Sequence, residues 1–582
     1  MSNVDLQQVQ TTTTSNKLNL VKLKEYVTEQ FNHNLLPVLE DFIRIPNLSP
    51  NFDKEVLSNG HMEQALSLIV HWIKNQNIKG LNLNVMRIEG KTPLIFIDID
   101  STIIGKEGWK ENVPTVFMYG HADKQPPNTG WAEGLGPYDP VIRTRLPSTF
   151  NTSTTDDSNN NTVSNNTDSN TDSNTEDKKD EDLYLYGRGS NDDGYAVFSS
   201  ILSIKSLQEQ SIEHGRIIIV CEFSEESGSC DLPYYLCQIL PYNRTEHIRS
   251  KMTAEDLSLI PSHCLSDDYK GMIQSCVDLV ICLDSGVGNY ERIWTTISLR
   301  GIFVFELHVS LIREGVHSGG YSGLVSDSFR VIRMLLSRIE NEQDGSIKIP
   351  ELYGTPKEEK DPIHSNLPKW VVEKFKKTVE LLGYSGVCES VPLLNSSVEL
   401  MNQDLLELLL NKTWRPTLTI TGANGLPPIE TAGNVLRPLT ALKCSIRLPP
   451  HVTPNEQLEQ LVLNELIRNP PYNAQVQIKN IHTGSGWCCS EFDEWLTNSL
   501  NESSREFFNV DEIGCLGEGG TIPFMKVLND CYPQAQMLIT GVAGPGSNAH
   551  GPNEHLNLNY TKKIICSVAK LLNDHSIVNK KK

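Results

Sequence analysis

The side chains able to do chemistry in this chain fall into five short clusters spread from residue 120 to residue 551. They are Gly120-His121-Ala122-Asp123, Gly187-Arg188-Gly189-Ser190-Asn191-Asp192-Asp193, Ser224-Glu225-Glu226-Ser227-Gly228-Ser229, Leu283-Asp284-Ser285-Gly286 and Asn548-Ala549-His550-Gly551. Imidazole nitrogens and carboxylate oxygens are the ligands of a catalytic Zn²⁺, which keeps one position open for water. A pair of ions needs in addition a carboxylate that spans both. His121, Asp192, Glu226, Asp284 and His550 supply two imidazoles and three carboxylates, enough for two divalent ions, with Zn²⁺ first and Mn²⁺ the alternative. Glu225, beside a ligand but not needed as one, is placed to take a proton from water held there. Asp123 stands two residues from His121 on an extended stretch, hence on the same side. It could accept the ring's other N–H and fix its tautomer.

Taken singly, each piece has a plainer reading. A histidine after a strand is more often a hydrogen-bonded structural residue, and a pair of glutamates is usually a solvated turn. The segment Gly541–Gly546 could suggest a phosphate cradle, but no Lys-Ser/Thr follows, so it reads as the loop that delivers His550. What carries the inference is the joint occurrence of the five clusters in a compatible order.

The elements around them are consistent with one crevice. Each cluster follows a short apolar run that predicts a buried parallel strand, over residues 115–119, 183–186, 217–223, 279–283 and 537–540. Functional groups of an open α/β sheet gather beyond the carboxyl ends of such strands. The stripe Leu23, Tyr26, Val27, Phe31, Leu35, Leu36, Leu39 and Phe42 predicts an opening helix. A second helix is expected near residues 61–73, a strand near 83–87 and a helix over 194–207. From about residue 297 the texture changes. Phe303, Phe305, Leu307 and Val309 alternate with period two, and helical stretches fall near 325–339 and 369–382, before helix–strand alternation returns over 491–573. The predicted fold class is α/β, with a discontinuous catalytic domain over residues 20–296 and 483–577 and an α+β domain inserted at 297–482.

Bulk properties exclude several functions. A chain of 582 residues with 38% hydrophobic content has ample core for two domains. A net charge of −21 argues against nucleic acid or an anionic membrane surface as partner. There is no apolar run of about 18 residues to span a bilayer. The first residues lack a basic stretch followed by an apolar one, and the 13 cysteines contain no Cys-x-x-Cys pair, so a reducing, cytoplasmic location is expected. Residues 151–182 hold nine acidic residues and two lysines with Val163 their only apolar side chain, which predicts a disordered insertion over 150–182. Residues 1–19 are expected as a disordered head.

In order and wording, these clusters resemble the dinuclear zinc peptidase family that includes carnosinases, cytosolic nonspecific dipeptidases, aminoacylases and carboxypeptidases. The resemblance runs from about residue 20 to 575 outside the insertion. It implies a zinc-peptidase-type catalytic domain with an inserted lid and dimerisation domain. It places one ion on Asp192, Glu226 and His550 and the other on His121, Asp192 and Asp284, with Asp192 bridging and its bond to Asp193 cis. Glu225 then resembles the general base and Asp123 the residue that orients a ligand. His317, in Val316-His317-Ser318-Gly319, resembles the lid histidine that reaches the scissile carbonyl oxygen from the partner subunit of a homodimer. Arg447, in Ser445-Ile446-Arg447-Leu448-Pro449, resembles the arginine whose guanidinium fork suits the substrate carboxylate. Gly519, Gly520 and Thr521 resemble a glycine loop that holds the substrate C-terminus, with threonine where serine is commoner. Trp414-Arg415-Pro416 and Asn434-Val435 fit the long lid of the dipeptidases. Asp284, where carboxypeptidase- and acylase-like members tend to carry glutamate, places the chain near the dipeptidase branch. One departure stands out: Gly194-Tyr195 follows Asp193 where the family has Lys-Gly. The implied function is hydrolysis of short peptides. A deacylase of N-acyl amino acids, or an inactive homologue serving as a scaffold, are the alternatives.

Overall fold

The computed structural model describes residues 17–103, 113–144, 182–240, 242–260, 277–355, 366–388, 397–520 and 522–579, with a few single positions between 361 and 395. Almost all of the expected insertion, and the head up to residue 16, lie outside these.

A nine-stranded sheet organises the larger part. Its strands run in the order Leu81–Met86, Leu94–Ile99, Arg216–Glu222, Thr115–His121, Val277–Cys282, Gln536–Ile539, Trp294–Leu299 and Trp487–Cys488, with Gly514–Glu518 beside Trp294–Leu299. The central strands Arg216–Glu222, Thr115–His121, Val277–Cys282 and Gln536–Ile539 are parallel. Thr115–His121 is buried along its whole length, as a central strand covered on both faces must be. One face packs against helices His61–Asn75, Gly194–Glu209 and Leu558–Asn579, through Ile69, Phe198, Ile201, Ile565 and Val568 among others. The opening helix is interrupted: Leu20–Gln30 and Leu36–Ile43 flank a π-helical turn, Phe31–Leu35, which keeps both Phe31 and Leu35 buried.

Four of the five expected strands belong to this sheet. The fifth, Leu183–Tyr186, does not. It lies antiparallel between Val141–Thr144 and His555–Asn557 in a separate three-stranded sheet. Its first residue, Leu183, is exposed, so the run lacks the two-sided burial of a central strand. It still carries its cluster to the crevice, because Gly187 turns the chain there with φ +152°.

A four-stranded antiparallel sheet forms the second unit, in the order Thr417–Asn424, Leu439–Leu448, Gly301–Ser310 and Gln475–Gly484. Gly301–Ser310 alternates buried and half-buried residues along its length, the period-two pattern of Phe303 to Val309. Helices Ser328–Leu336 and Glu456–Ile467 cover its buried face. Two differences from the sequence reading concern the edges of this unit. The chain leaves the large sheet at Leu299, and Arg300 separates the two sheets, three residues later than expected. Helices Lys369–Cys388 and Leu405–Thr413 do not join the small sheet; Val371, Phe375, Leu409, Leu410 and Trp414 pack with Ile297, Leu299 and Cys515 of the large one. Helical period alone specifies an apolar face, not the sheet on which it is buried.

Candidate active site

Beyond the carboxyl ends of the parallel strands the acidic and imidazole side chains meet. His121 ends the strand Thr115–His121, and Asp284 follows Val277–Cys282 by two residues. Asp192 precedes the helix Gly194–Glu209, and the Asp192–Asp193 bond is cis. Glu225 and Glu226 form a single 3₁₀ turn after Arg216–Glu222. His550 stands in a loop with φ +65°, an unusual backbone state for a non-glycine residue.

Asp192 is the centre of the arrangement. Its Oδ1 lies 3.2 Å from His121 Nε2, while its Oδ2 lies 2.8 Å from His550 Nε2. His550 Nε2 is 3.2 Å from Glu226 Oε2. On the other side, His121 Nε2 is 3.6 Å from Asp284 Oδ2 and 3.9 Å from Glu225 Oε2. The ligand atoms of His121, Asp192 and Glu226 lie within 4.8 Å of one another, as do those of His121, Glu225 and Asp284.

The charges are arranged for cations. Burial, reinforced by Asp192, pushes Glu226 up to about 7. Burial likewise raises Asp284 to about 6 and carries Glu225 well above the ordinary carboxylate range. Burial would also raise Asp192, but hydrogen bonds from His121 and His550 outweigh it and depress the group. The His550 imidazole is raised to about 11 by its contacts with Asp192 and Glu226. Burial opposes a charge on His121, yet Asp123 and Asp192 carry it well above the usual value. The donor set of imidazole nitrogen and carboxylate oxygen fits divalent ions.

Asp123 acts on two elements. Its Oδ1 lies 3.3 Å from His121 Nδ1 and accepts the backbone N–H of Glu225 at 3.2 Å, while its Oδ2 accepts that of Glu226 at 3.0 Å. The alternation continues to Gln125, whose Nε2 donates to Glu226 Oε2 at 2.6 Å. Lys124, between them, points the other way. It is buried and donates to the carbonyl oxygens of Phe42 and Ile45, each at 2.6 Å, at the end of the helix Leu36–Ile43.

The departure Gly194-Tyr195 has a steric cause. A Cβ at Gly194 would collide with the carbonyl oxygen of Gly189 and the Phe42 ring, so no side chain fits there. Tyr195 is buried and its hydroxyl donates to the carbonyl oxygen of Leu283, tying the helix to the strand end that precedes Asp284.

Sequence reasoning missed two residues. Glu554 is buried and accepts the N–H groups of Gly189 and Asn191 at 3.0 and 3.3 Å, and pairs with Arg188 at 2.6 Å. Glu222 accepts the hydroxyls of Tyr119, Ser229 and Ser224 at 2.7, 2.8 and 2.9 Å, behind the glutamate turn. Both are acids beside a motif, and the only signal available was an acidic residue where the pattern called for a buried one.

The cleft over these groups has a volume of about 280 Å³. Asn191, Asp192, Glu225, Asp284, Ser285, Gly286, Leu299, Glu518, Gly520, Ile522, Ala543, Ala549 and His550 line it. Gly520 is thus at the cleft, and Gly519 is adjacent, its carbonyl accepting from Arg300 Nε at 3.3 Å. Thr521 lies outside the described residues. Arg447 is half-buried on Leu439–Leu448 and His317 is exposed on the short strand Val316–His317; neither lines the cleft of its own chain. Trp414 and Arg415, expected on the lid, are buried instead. The Trp414 ring stacks on His451 with centroids 5.7 Å apart, and Arg415 pairs with Glu407 at 2.7 Å.

Several known proteins are similar to this chain in sequence or fold. The Cys-Gly metallodipeptidase DUG1 of Candida albicans is 23% identical over 567 residues, 94% of this chain and 96% of that protein. The cysteinylglycine-S-conjugate dipeptidase of Corynebacterium striatum is 22% identical over 278 residues; the match spans 48% of this chain and 56% of that protein. The crystal structure of human carnosine dipeptidase 1 has the same fold, with a TM-score of 0.62 at 17% identity over 96% of this chain and 99% of that one. The family model for peptidase family M20/M25/M40 matches residues 162–574, most of the chain, and the protein belongs to that family.

Proposed function

We propose that this metallopeptidase is a cytoplasmic dipeptidase that hydrolyses short peptides with two divalent ions, Zn²⁺ first and Mn²⁺ as the alternative. The observation that carries the reading is Asp192, with one carboxylate oxygen turned to His121 and the other to His550. Asp192, Glu226 and His550 would hold one ion, and His121, Asp192 and Asp284 the other. When bound, such ions polarise a peptide carbonyl and acidify a water. Asp123 keeps His121 and the Glu225–Glu226 turn in one register. Glu225 takes the proton from the attacking water and delivers it to the leaving amine.

The substrate's far end falls to Arg447, Gly519, Gly520 and Thr521. Arg447 suits a carboxylate, because no acid among the described residues pairs with it and the Arg300 guanidinium is near enough to repel it. His317 serves the cleft of a partner subunit in a homodimer, supported by its exposure and its place outside its own cleft. The catalytic unit comprises residues 20–299 and 485–577 and the lid unit residues 300–484, with helices Lys369–Cys388 and Leu405–Thr413 packed on the former. Buried free thiols suit the reducing cytoplasm, and the net charge of −21 suits a small-peptide substrate rather than nucleic acid.

The test is a panel of dipeptides and N-acyl amino acids assayed with each metal, alongside elemental analysis of the purified chain. Two ions per chain and turnover of dipeptides are expected. A metal-loaded chain that turns over none of the dipeptides would overturn the proposal.

A further inference from the structure

A dipeptide's α-ammonium lies two bonds from the scissile carbonyl carbon, so its partner must line the cleft that holds the reacting groups. Four acids line that cleft among the described residues: Asp192, Glu225, Asp284 and Glu518. The first three converge on His121 and belong to the ion ligands and the base. Glu518 remains. It ends the strand Gly514–Glu518, and its backbone carbonyl accepts from Arg300 N at 3.2 Å, which fixes the main chain and leaves the side chain to the cleft.

The carboxyl is seated against Gly286, two residues beyond Asp284. A Cβ at Gly286 would stand 2.5 Å from Glu518 Oε1, so glycine is what lets the acid approach this wall. The Gly286 backbone N–H donates to it, and Lys412 is the one cation that influences it. Among the described residues Glu518 has no ion-pair partner. A desolvated carboxylate in that position is stabilised by any cation that enters with the ligand.

We propose that Glu518 is the specificity residue that binds the free N-terminal ammonium of the substrate, and so selects unblocked peptides over N-acyl amino acids. This rests on the dipeptidase reading and narrows it. In an N-acyl amino acid the scissile carbonyl is that of the acyl group itself, so the neighbouring carbon carries no amine and presents only C–H groups to the carboxylate. A blocked substrate therefore gains no ion pair and leaves Glu518 uncompensated, whereas an α- or β-amino group supplies the missing charge.

The experiment compares kcat and KM of metal-loaded wild type, Glu518→Gln and Glu518→Asp on Ala-Ala and on N-acetyl-alanine, with metal content measured for each. Loss of one partner of a desolvated charge pair is expected to lower kcat/KM for Ala-Ala by about a hundredfold, mainly through KM. The N-acetyl substrate should lose nothing, Glu518→Asp should recover part of the dipeptide activity, and metal content should stay at the wild-type level. A second measurement uses Glu225→Gln protein, in which binding of Ala-Ala by calorimetry should weaken when Glu518→Gln is added. Equal losses on both substrates, or no loss on Ala-Ala, would overturn the assignment of Glu518. A wild type inactive on Ala-Ala and every other dipeptide would instead remove the dipeptidase reading itself.

Discussion

Arg188 and Glu554 lie 366 residues apart in sequence and pair at 2.6 Å, both buried. The pair joins the two loops that carry Asp192 and His550. Arg188 Nη2 also donates to the carbonyl oxygen of Gly551 at 2.9 Å, and Glu554 collects the N–H groups of Gly189 and Asn191. One ion pair therefore sets the spacing of two expected ligands that come from opposite ends of the catalytic unit.

Removing Glu554 should consequently disturb both folding and ion binding. Glu554→Ala removes the carboxylate that pairs with the buried Arg188 and accepts the N–H groups of Gly189, Asn191 and Asp192, leaving a buried charge without its counter-ion, a loss of about 3–5 kcal/mol. A lower melting temperature and a weaker affinity for Zn²⁺ by calorimetry are expected. Unchanged ion affinity in a folded variant would mean that the clamp does not position the ligands.

Chelation should abolish peptide hydrolysis, and Zn²⁺ or Mn²⁺ should restore it, because His121, Asp192, Glu226, Asp284 and His550 form one continuous donor cluster. Full activity in a sample shown by elemental analysis to be stripped of metal would rule out the two-ion mechanism.

The neighbouring glutamates should separate by role. Glu225→Ala should retain both ions and lose turnover by roughly 10²–10⁴-fold, the usual effect of a general base. Glu226→Ala should lose occupancy of one ion, since its carboxylate faces His550 at 3.2 Å. If Glu225→Ala keeps turnover within a few-fold of wild type, the base is another residue.

Lys124 should matter for stability rather than chemistry. Its ammonium shares the carbonyl oxygens of Phe42 and Ile45 with the backbone N–H groups of Ile45 and Asn47, and a hydrogen bond from a charged donor contributes about 1.5–3 kcal/mol. Lys124→Met should lower the denaturant midpoint clearly while kcat/KM, measured well below the transition, stays within a few-fold. An unaltered midpoint would show that solvent replaces the ammonium freely.

Subunit complementation tests His317. Loss of a positioned oxyanion donor costs roughly 3–4 kcal/mol of transition-state stabilisation, so His317→Ala should be nearly inactive alone, as should Glu225→Ala. After subunit exchange the mixture should regain up to about a quarter of wild-type activity, from one intact site in each heterodimer. A mixture proven to contain heterodimers but showing no recovery would place His317 in its own chain's cleft or outside the chemistry.

The sequence by itself determined the chemical inventory and the class of fold. His121, Asp192, Glu225, Glu226, Asp284 and His550 were legible because ligand types are few and each stood after an apolar run. Phe303 to Val309 were legible as a strand because period two maps one face onto the core. Which faces meet was decided only by tertiary structure. Leu183–Tyr186 became the middle strand of a separate antiparallel sheet, paired with Val141–Thr144 and His555–Asn557 rather than placed in the large sheet. Helices Lys369–Cys388 and Leu405–Thr413 found their core beside Ile297 and Cys515, which no local pattern specifies. Glu554 and Glu222 were silent for the same reason. An acid's role follows from what burial and distant chain segments place around it, and that information is not local in sequence.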